Sequence, residues 1–192
     1  MRTLLAAAAR NNADWCDAFC RAHGIDGSFS GDVWAAPART PPLYPDAVTF
    51  APGVRAGDVL RRVETGSGCS VKDSFADLDL GAHGFGVLFE AEWIHHVHPR
   101  PASTEWRAEV LFADPAIRFL RTTGGSAIAN RSADVIGLTN LVGTATWSDA
   151  AAAAQAELGA VPVVGYASGA DLVAAHLAGF ESDGPLRVWV YR

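Results

Sequence analysis

Apolar residues recur at helical spacing through the start of the chain. Leu5, Ala8, Trp15, Phe19 and Ala22 fall on one face of a helix predicted from about Arg2 to His23, with Gly24 as its stop. Asn12 lies on that same face. A polar residue on an apolar stripe needs a partner, either an internal hydrogen bond or a ligand. From Ser28 to Pro52 the pattern is that of short strands and loops. Four prolines between Ala36 and Pro45 exclude a central strand there, while Asp46 to Phe50 alternates as a strand does. A brief helix is predicted over Gly57 to Val63. Thr65 to Ala82 is rich in Gly, Ser and Asp; only Leu78 and Leu80 suggest a short strand, and Lys72 reads as a loop residue salt-bridged to Asp73 or Asp77 at the surface.

Phe85 to Val97 alternates most clearly. Phe85, Val87, Phe89, Ala91, Trp93, His95 and Val97 share one face of the predicted strand, and Glu90, Glu92, Ile94, His96 and His98 the other, before Pro99 and Pro101 end it. Asp114 to Arg121, with Pro115 suited to a first helical position and Gly124-Gly125 beyond, predicts a helix. A hairpin follows, Ser126 to Asn130 and Asp134 to Asn140 around Arg131 and Ser132. Next come a helix from Asp149 to Leu158 capped by Ser148 or Asp149, an apolar strand from Val161 to Tyr166, a helix from Gly169 to Ala178 capped by Ser168, and a last strand from Leu186 to Tyr191. The order β-β-α-β-α-β with short connections predicts an α/β fold, a mixed central sheet flanked by helices. No internal repeat or dividing linker interrupts residues 1–192, so the whole reads as one domain.

Composition narrows the function classes. At 49% hydrophobic and 19% charged, 192 residues suffice for a large core. A net charge of −6 with no basic run argues against a nucleic-acid surface. No apolar stretch approaches the roughly 20 residues that cross a bilayer, and Arg10, Asn11, Asn12 and Asp14 interrupt any leader-like reading of Leu4 to Ala9. Three cysteines, Cys16, Cys20 and Cys69, suit buried thiols in a reducing compartment, hence a cytoplasmic protein.

From Asp134 to Arg192 the order of elements and several residues resemble the second half of the GNAT superfamily of acyl-CoA N-acyltransferases. In that family a strand leads to a loop of pattern Gln/Arg-x-x-Gly-x-Gly/Ala and then a helix, whose amides hold the cofactor pyrophosphate. Unpaired N–H groups and the helix dipole make such a turn an anion site. Here Asn140-Leu141-Val142-Gly143-Thr144-Ala145 corresponds: Gly143 and Ala145 match, and Asn140 stands where Gln or Arg is expected. The best helix signal begins only near Ser148. Pro162 to Tyr166 would be the family's fifth strand, which splays from the fourth to admit the thioester arm, and Gly179-Phe180 closes the next helix as in many members. Ala175 occupies the place of the family's proton-donating tyrosine; His176 beside it is turned about 100° around the helix. The resemblance implies acetyl-CoA or another acyl-CoA as co-substrate along Leu138, Asn140, Gly143, Thr144 and Ala145, and a small amine acceptor meeting Asn12, Glu90 and Glu92. It equally allows a catalytically degenerate ligand-binding or partner-binding protein of the same fold.

The residues themselves supply further candidates. An amine must be neutral to attack a thioester, so a carboxylate lifted in pKa by burial is a suitable base. Glu90 and Glu92 on one strand face fit that role, with His83 and His95 ranked behind. The alternative is a solvated strand edge. His96 and His98 on one face suggest chelation, but no third ligand or metal motif accompanies them, so no metal site is assigned. Trp34 and Trp106, in Pro-rich or polar surroundings, suit a pocket wall or a homodimer contact.

Overall fold

The computed structural model describes residues 3–132, 134–143 and 146–192. In chain order the elements are α1 (Leu4–Ala22), β1 (Ser28–Ser30), β2 (Val33–Ala35), β3 (Ala47–Thr49), α2 (Ala56–Leu60), β4 (Ser70–Asp73), β5 (Phe85–His96), β6 (Arg107–Leu111), β7 (Asp114–Thr122), β8 (Gly125–Ser132), β9 (Val135–Gly143), α3 (Trp147–Leu158), β10 (Val163–Ala167), α4 (Gly169–Leu177) and β11 (Glu181–Tyr191). They form two compact units, one of Met1–Asn11 with Glu92–Gly184, the other of Asn12–Ala91 with Pro185–Arg192, so that α1, β5 and β11 contribute residues to both.

The first unit holds a mixed sheet in the order β5-β10-β9-β8-β7-β6. Hairpins make β6 to β9 antiparallel, β10 runs parallel to β9, and β5 is antiparallel to β10. The predicted hairpin is present, and the β9-α3-β10 order produces a parallel pair within the predicted mixed sheet. One sheet face, carrying Ile94, Leu120, Ala127, Ala129, Ile136, Leu138 and Val163, is covered by α3 through Ala150, Ala151, Ala153, Ala154 and Leu158. Alanine is the strongest helix former and lets a helix lie close on a sheet. On the other face the Asn11 side chain of α1 donates to Asn130 O (3.0 Å) and Ser132 Oγ (3.2 Å).

The second unit holds β1-β2-β3-β4-β11, with β3 and β4 parallel and the other pairs antiparallel. Its core gathers Val33, Ala47, Val59, Val71, Leu80, Phe85 and Trp189. The turn after β4 is organised by the buried Asp73 carboxylate, which accepts Leu78 N (3.0 Å), Asp77 N (3.3 Å) and Trp189 Nε1 (3.4 Å). Burial pushes that carboxyl up, and these bonds oppose the rise.

Five expectations are corrected. Asp114 to Arg121 is strand β7, not a helix. Ile117 and Leu120, three residues apart, are both buried, which mimics a helical stripe. On a strand they point to opposite faces, and both faces are covered. Pro115 falls outside every register pair, so its missing N–H costs no ladder bond. Lys72 is no surface loop residue: it lies on β4, buried, with Nζ donating to Asn12 Oδ1 at 2.9 Å. Leu78 and Leu80 are buried but belong to no strand. Helix α3 also starts earlier than expected, at Trp147, with Thr146 as the N-cap accepting Asp149 N at 3.2 Å, and β11 begins five residues before Leu186, at Glu181.

Candidate functional site

Strands β9 and β10 share only two register pairs, Val163 with Ile136 and Val164 with Gly137, preceded by Ile136 N donating to Pro162 O at 2.9 Å. Beyond them the strands part. Two features produce the divergence. The register of β8 against β9 shifts between Ser126 and Ile128, a bulge at which Asn140 takes φ +52°. Asn is one of the few side-chain-bearing residues that tolerate this left-handed conformation. Past the bulge, Gly143 (φ +84°) packs so tightly on the β7–β8 turn that a Cβ would collide with the Gly124 carbonyl. On β10, a Cβ on Gly165 would stand 3.0 Å from Leu138 O and 3.5 Å from the Trp147 ring, so glycine keeps the inner end of the gap clear.

The parting leaves a cleft of about 730 Å³. One wall is Leu138, Thr139, Asn140, Leu141 and Gly143. The start of α3 (Thr146, Trp147, Ser148) and Tyr166 of β10 form its base, and Asp171, Ala174, Leu177 and Ala178 of α4 close it. Trp147 is held edge-on to Phe180 (5.4 Å), and Tyr166 edge-on to Trp93 (5.6 Å). Of the residues assigned from the sequence to the acyl donor, Leu138, Asn140 and Gly143 line this cleft. Thr144 and Ala145 lie outside the described residues. The gap opens toward Tyr166 rather than at Pro162.

Sequence reasoning missed Tyr166, Trp147 and Asp171. The signal was a tyrosine closing an otherwise apolar strand, and a tryptophan between a glycine turn and an alanine helix. Ala175 is fully buried in the core, and the exposed His176 ring nitrogen Nε2 is 2.9 Å from Ser182 Oγ, so neither replaces the family tyrosine.

The base candidates separate. Glu90 is exposed, and its Oε1 accepts Arg187 Nη2 (2.6 Å) and Nε (2.9 Å). Glu92 is half-buried opposite Ala167. His95 has its Nδ1 3.0 Å from Asp183 Oδ2, each side chain 14% exposed. Burial raises the Asp183 carboxyl, and the neighbouring His95 pulls it down. His83 is exposed. Asn12 is buried, with the Lys72 ammonium as its partner. His98 lies past the end of β5. Among the described residues no three His, Cys, Asp or Glu side chains gather to hold a metal. The Trp34 ring is fully buried and donates to Asp17 Oδ1 (2.9 Å), which removes it from any subunit contact. Trp106 lines a smaller pocket of about 270 Å³ with Ala152, Ala153 and Ala156. The three cysteines are buried free thiols, as expected. Among the described residues no helix is long and apolar enough to cross a membrane.

Compared by sequence, the chain matches no protein-family model and no curated protein. Compared by structure, it is similar to a GCN5-related N-acetyltransferase from Kribbella flavida, with a TM-score of 0.59 and 14% identity over 96% of this chain and 95% of that one. It is also similar to a GNAT-family protein from Novosphingobium aromaticivorans, with a TM-score of 0.53 and 13% identity over 96% and 99% of the two chains. The fold is therefore that of the GNAT acetyltransferases, and the likeness extends beyond the C-terminal stretch in which the motif was read.

Proposed function

We propose that the chain is an N-acyltransferase that moves an acyl group from an acyl-CoA, with acetyl-CoA the simplest, to a small amine. The observation that carries this reading is the opening between β9 and β10. A parallel pair that stops after two register positions leaves strand-edge groups beside a cleft of mixed polar and apolar lining, where the amides of a pantetheine arm can align as an added strand does. In the reaction the lone pair of a neutral amine forms the N–C bond and the C–S bond breaks. Coenzyme A leaves as a thiolate, and the amine gives one proton to a base. With a thiol pKa of about 8.5 the thiolate can leave with little protonation, which suits a chain with Ala175 at the family's acid position. Glu92, half-buried on β5, and His95, oriented by Asp183, are the groups to which we assign that base role.

A second reading, a non-catalytic binding protein that keeps the cleft, is favoured by Ala175 and by the exposure of Glu90. Scaffolding through exposed tryptophans loses its support with Trp34 buried. Calorimetry with coenzyme A and an acetyl-CoA assay over primary amines separate the first two. We expect weak but measurable binding and a rate that rises with pH through one ionisation. Glu92→Gln or His95→Gln, whichever removes the base, should flatten that rise and leave coenzyme A binding intact. Binding without any transfer selects the second reading, and no heat at millimolar coenzyme A removes the donor assignment.

A further inference from the structure

We infer that two copies of the chain pair through β6, so that the sheet of one copy continues into the sheet of the other. This stands apart from the acyl-transfer reading. β6 ends the strand order of the first unit, and only its β7 side is laddered. Among the described residues no other backbone hydrogen bond engages it. An edge left in this way presents a row of N–H and C=O groups that a second chain can use. Lysine and proline are common guards of such edges, and β6 has neither. It reads Arg107-Ala108-Glu109-Val110-Leu111, with Arg107, Glu109 and Val110 exposed.

The charges on β6 complement themselves. Arg107 lies directly opposite Arg121 of β7, whose guanidinium is paired with Glu109, and Arg107 has no carboxylate partner among the described residues. In an antiparallel ladder two opposed residues turn their backbone groups either both toward each other or both away. An outward residue of β6 must therefore meet another outward one. Outward residues alternate, so a two-fold axis falls on a residue and not between two. Centred on Arg107 it opposes two arginines, and centred on Glu109 two glutamates; like charges so placed repel. Centred on Ala108 it sets Arg107 of each copy opposite Glu109 of the other, twice per dimer.

The same register suits the other face of the strand. Trp106, just before β6, and Ala108 line the pocket of about 270 Å³ over the alanines of α3. Val110 shares their face by alternation and is 54% exposed. With the axis on Ala108, Val110 of the other copy stands opposite Trp106, at the rim of that pocket, so an exposed valine gains apolar cover. A bulge at Val110/Leu111 ends the paired stretch there, which confines the contact to Trp106 through Val110 of each copy. So short an edge buries less than the roughly 800 Å² per partner of a standard interface, and the dimer should be weak, with a Kd on the order of 10–100 μM. None of the contact residues lines the β9–β10 cleft.

Sedimentation velocity of the full chain over a concentration series should show a monomer–dimer equilibrium that weakens as salt is added. Arg107→Glu leaves only acidic charge on β6, and Glu109→Arg only basic charge. Each variant alone should dimerise about tenfold or more less tightly than the wild type. Mixed in equal amounts, the two should form a heterodimer about as tight as the wild-type dimer, since every opposed pair is then Arg with Glu. That regain also shows both variants to be folded, and damage from losing the Glu109–Arg121 pair would not be repaired by mixing. A chain that stays monomeric up to about 1 mM overturns the inference and leaves Arg107 and Glu109 as charges that keep the edge single. A dimer that both variants leave intact, or that mixing does not restore, overturns it as well.

Discussion

Each compact unit contains one parallel strand pair held by only two register positions, and the two pairs end in different ways. In the second unit β3 and β4 pair at Ala47 with Val71 and Val48 with Lys72, and side chains continue the ladder on either side. The Asp46 carboxylate accepts Ser70 N at 2.8 Å while Asp46 N donates to Ser70 O at 2.8 Å; beyond the pair, Thr49 Oγ1 accepts Ser74 N at 3.0 Å. In the first unit β9 and β10 have a backbone bond before the pair, from Ile136 to Pro162, and then a bulge turns β9 away. A short parallel pair has few ladder bonds of its own, so whether it closes depends on what lies at its ends. Buried carboxylate and hydroxyl groups seal one; a left-handed Asn140 and a close-packed glycine open the other.

The sealed pair should be the easier one to damage. Asp46 is buried and accepts bonds from Thr40 N, Ser70 N and Arg39 Nη1. Asp46→Ala leaves the buried Thr40 N–H and the half-buried Ser70 N–H without their acceptor and should cost about 2 to 3 kcal/mol, read from urea denaturation. A loss below about 1 kcal/mol would mean that the apolar core, not the stitching, holds β3 to β4.

The open pair was legible in the sequence in outline but not in cause. The hairpin over Ser126 to Asn140, the alanine helix and the apolar strand Val161 to Tyr166 follow from period and punctuation, and the parallel pairing follows from their order. In the motif Asn140 stands where Gln or Arg is expected. The structure gives its position a backbone reason instead, since φ +52° at a bulge favours Asn over longer side chains. The second unit was harder to read because its information lies in long-range polar bonds. Lys72 with Asn12 and Asp46 with Ser70 are pairings that no local pattern encodes. Strand β7 was hidden for the opposite reason: with both faces covered, its burial has no period of two.

A middle-sized effect tests the opening. Asn140→Gly keeps the left-handed conformation available and should leave stability within about 0.5 kcal/mol. Asn140→Val cannot adopt it cheaply and should lose about 1–2 kcal/mol. If the bulge is what parts the strands, the valine variant should also lose pantetheine binding by more than its stability loss explains. Equal behaviour of the two variants would assign the opening to Gly143 and Gly165 alone.

The smallest effect concerns protons on the open pair's neighbour. His96 of β5 sits opposite Val163, edge-on to Phe180 at 5.3 Å and beside Gly179. Burial, and then the neighbouring His95 and His98, hold its pKa below the ordinary 6.5, with Glu181 pulling the other way. A folded pKa below the unfolded one means that the unfolded chain binds more protons between the two values. Stability from this group is therefore complete above about 6.5 and is lost as the pH falls through the folded pKa. Asp183, raised by burial, has the opposite sign in the carboxylate range: its folded form binds more protons above the ordinary 3.8, so its contribution falls as the pH rises there. Cys16 and Cys20 of the second unit, pushed up to about 12 and about 11 by burial, stay protonated throughout and contribute no slope. Urea midpoints should thus drop modestly on acidification from neutral pH, and His96→Gln should flatten that drop. Amides of β10 and α4 should exchange faster in the wild type over the same window. If the His96→Gln variant keeps the wild-type slope, the acid sensitivity belongs to other groups and His96 is no more than packing against Phe180.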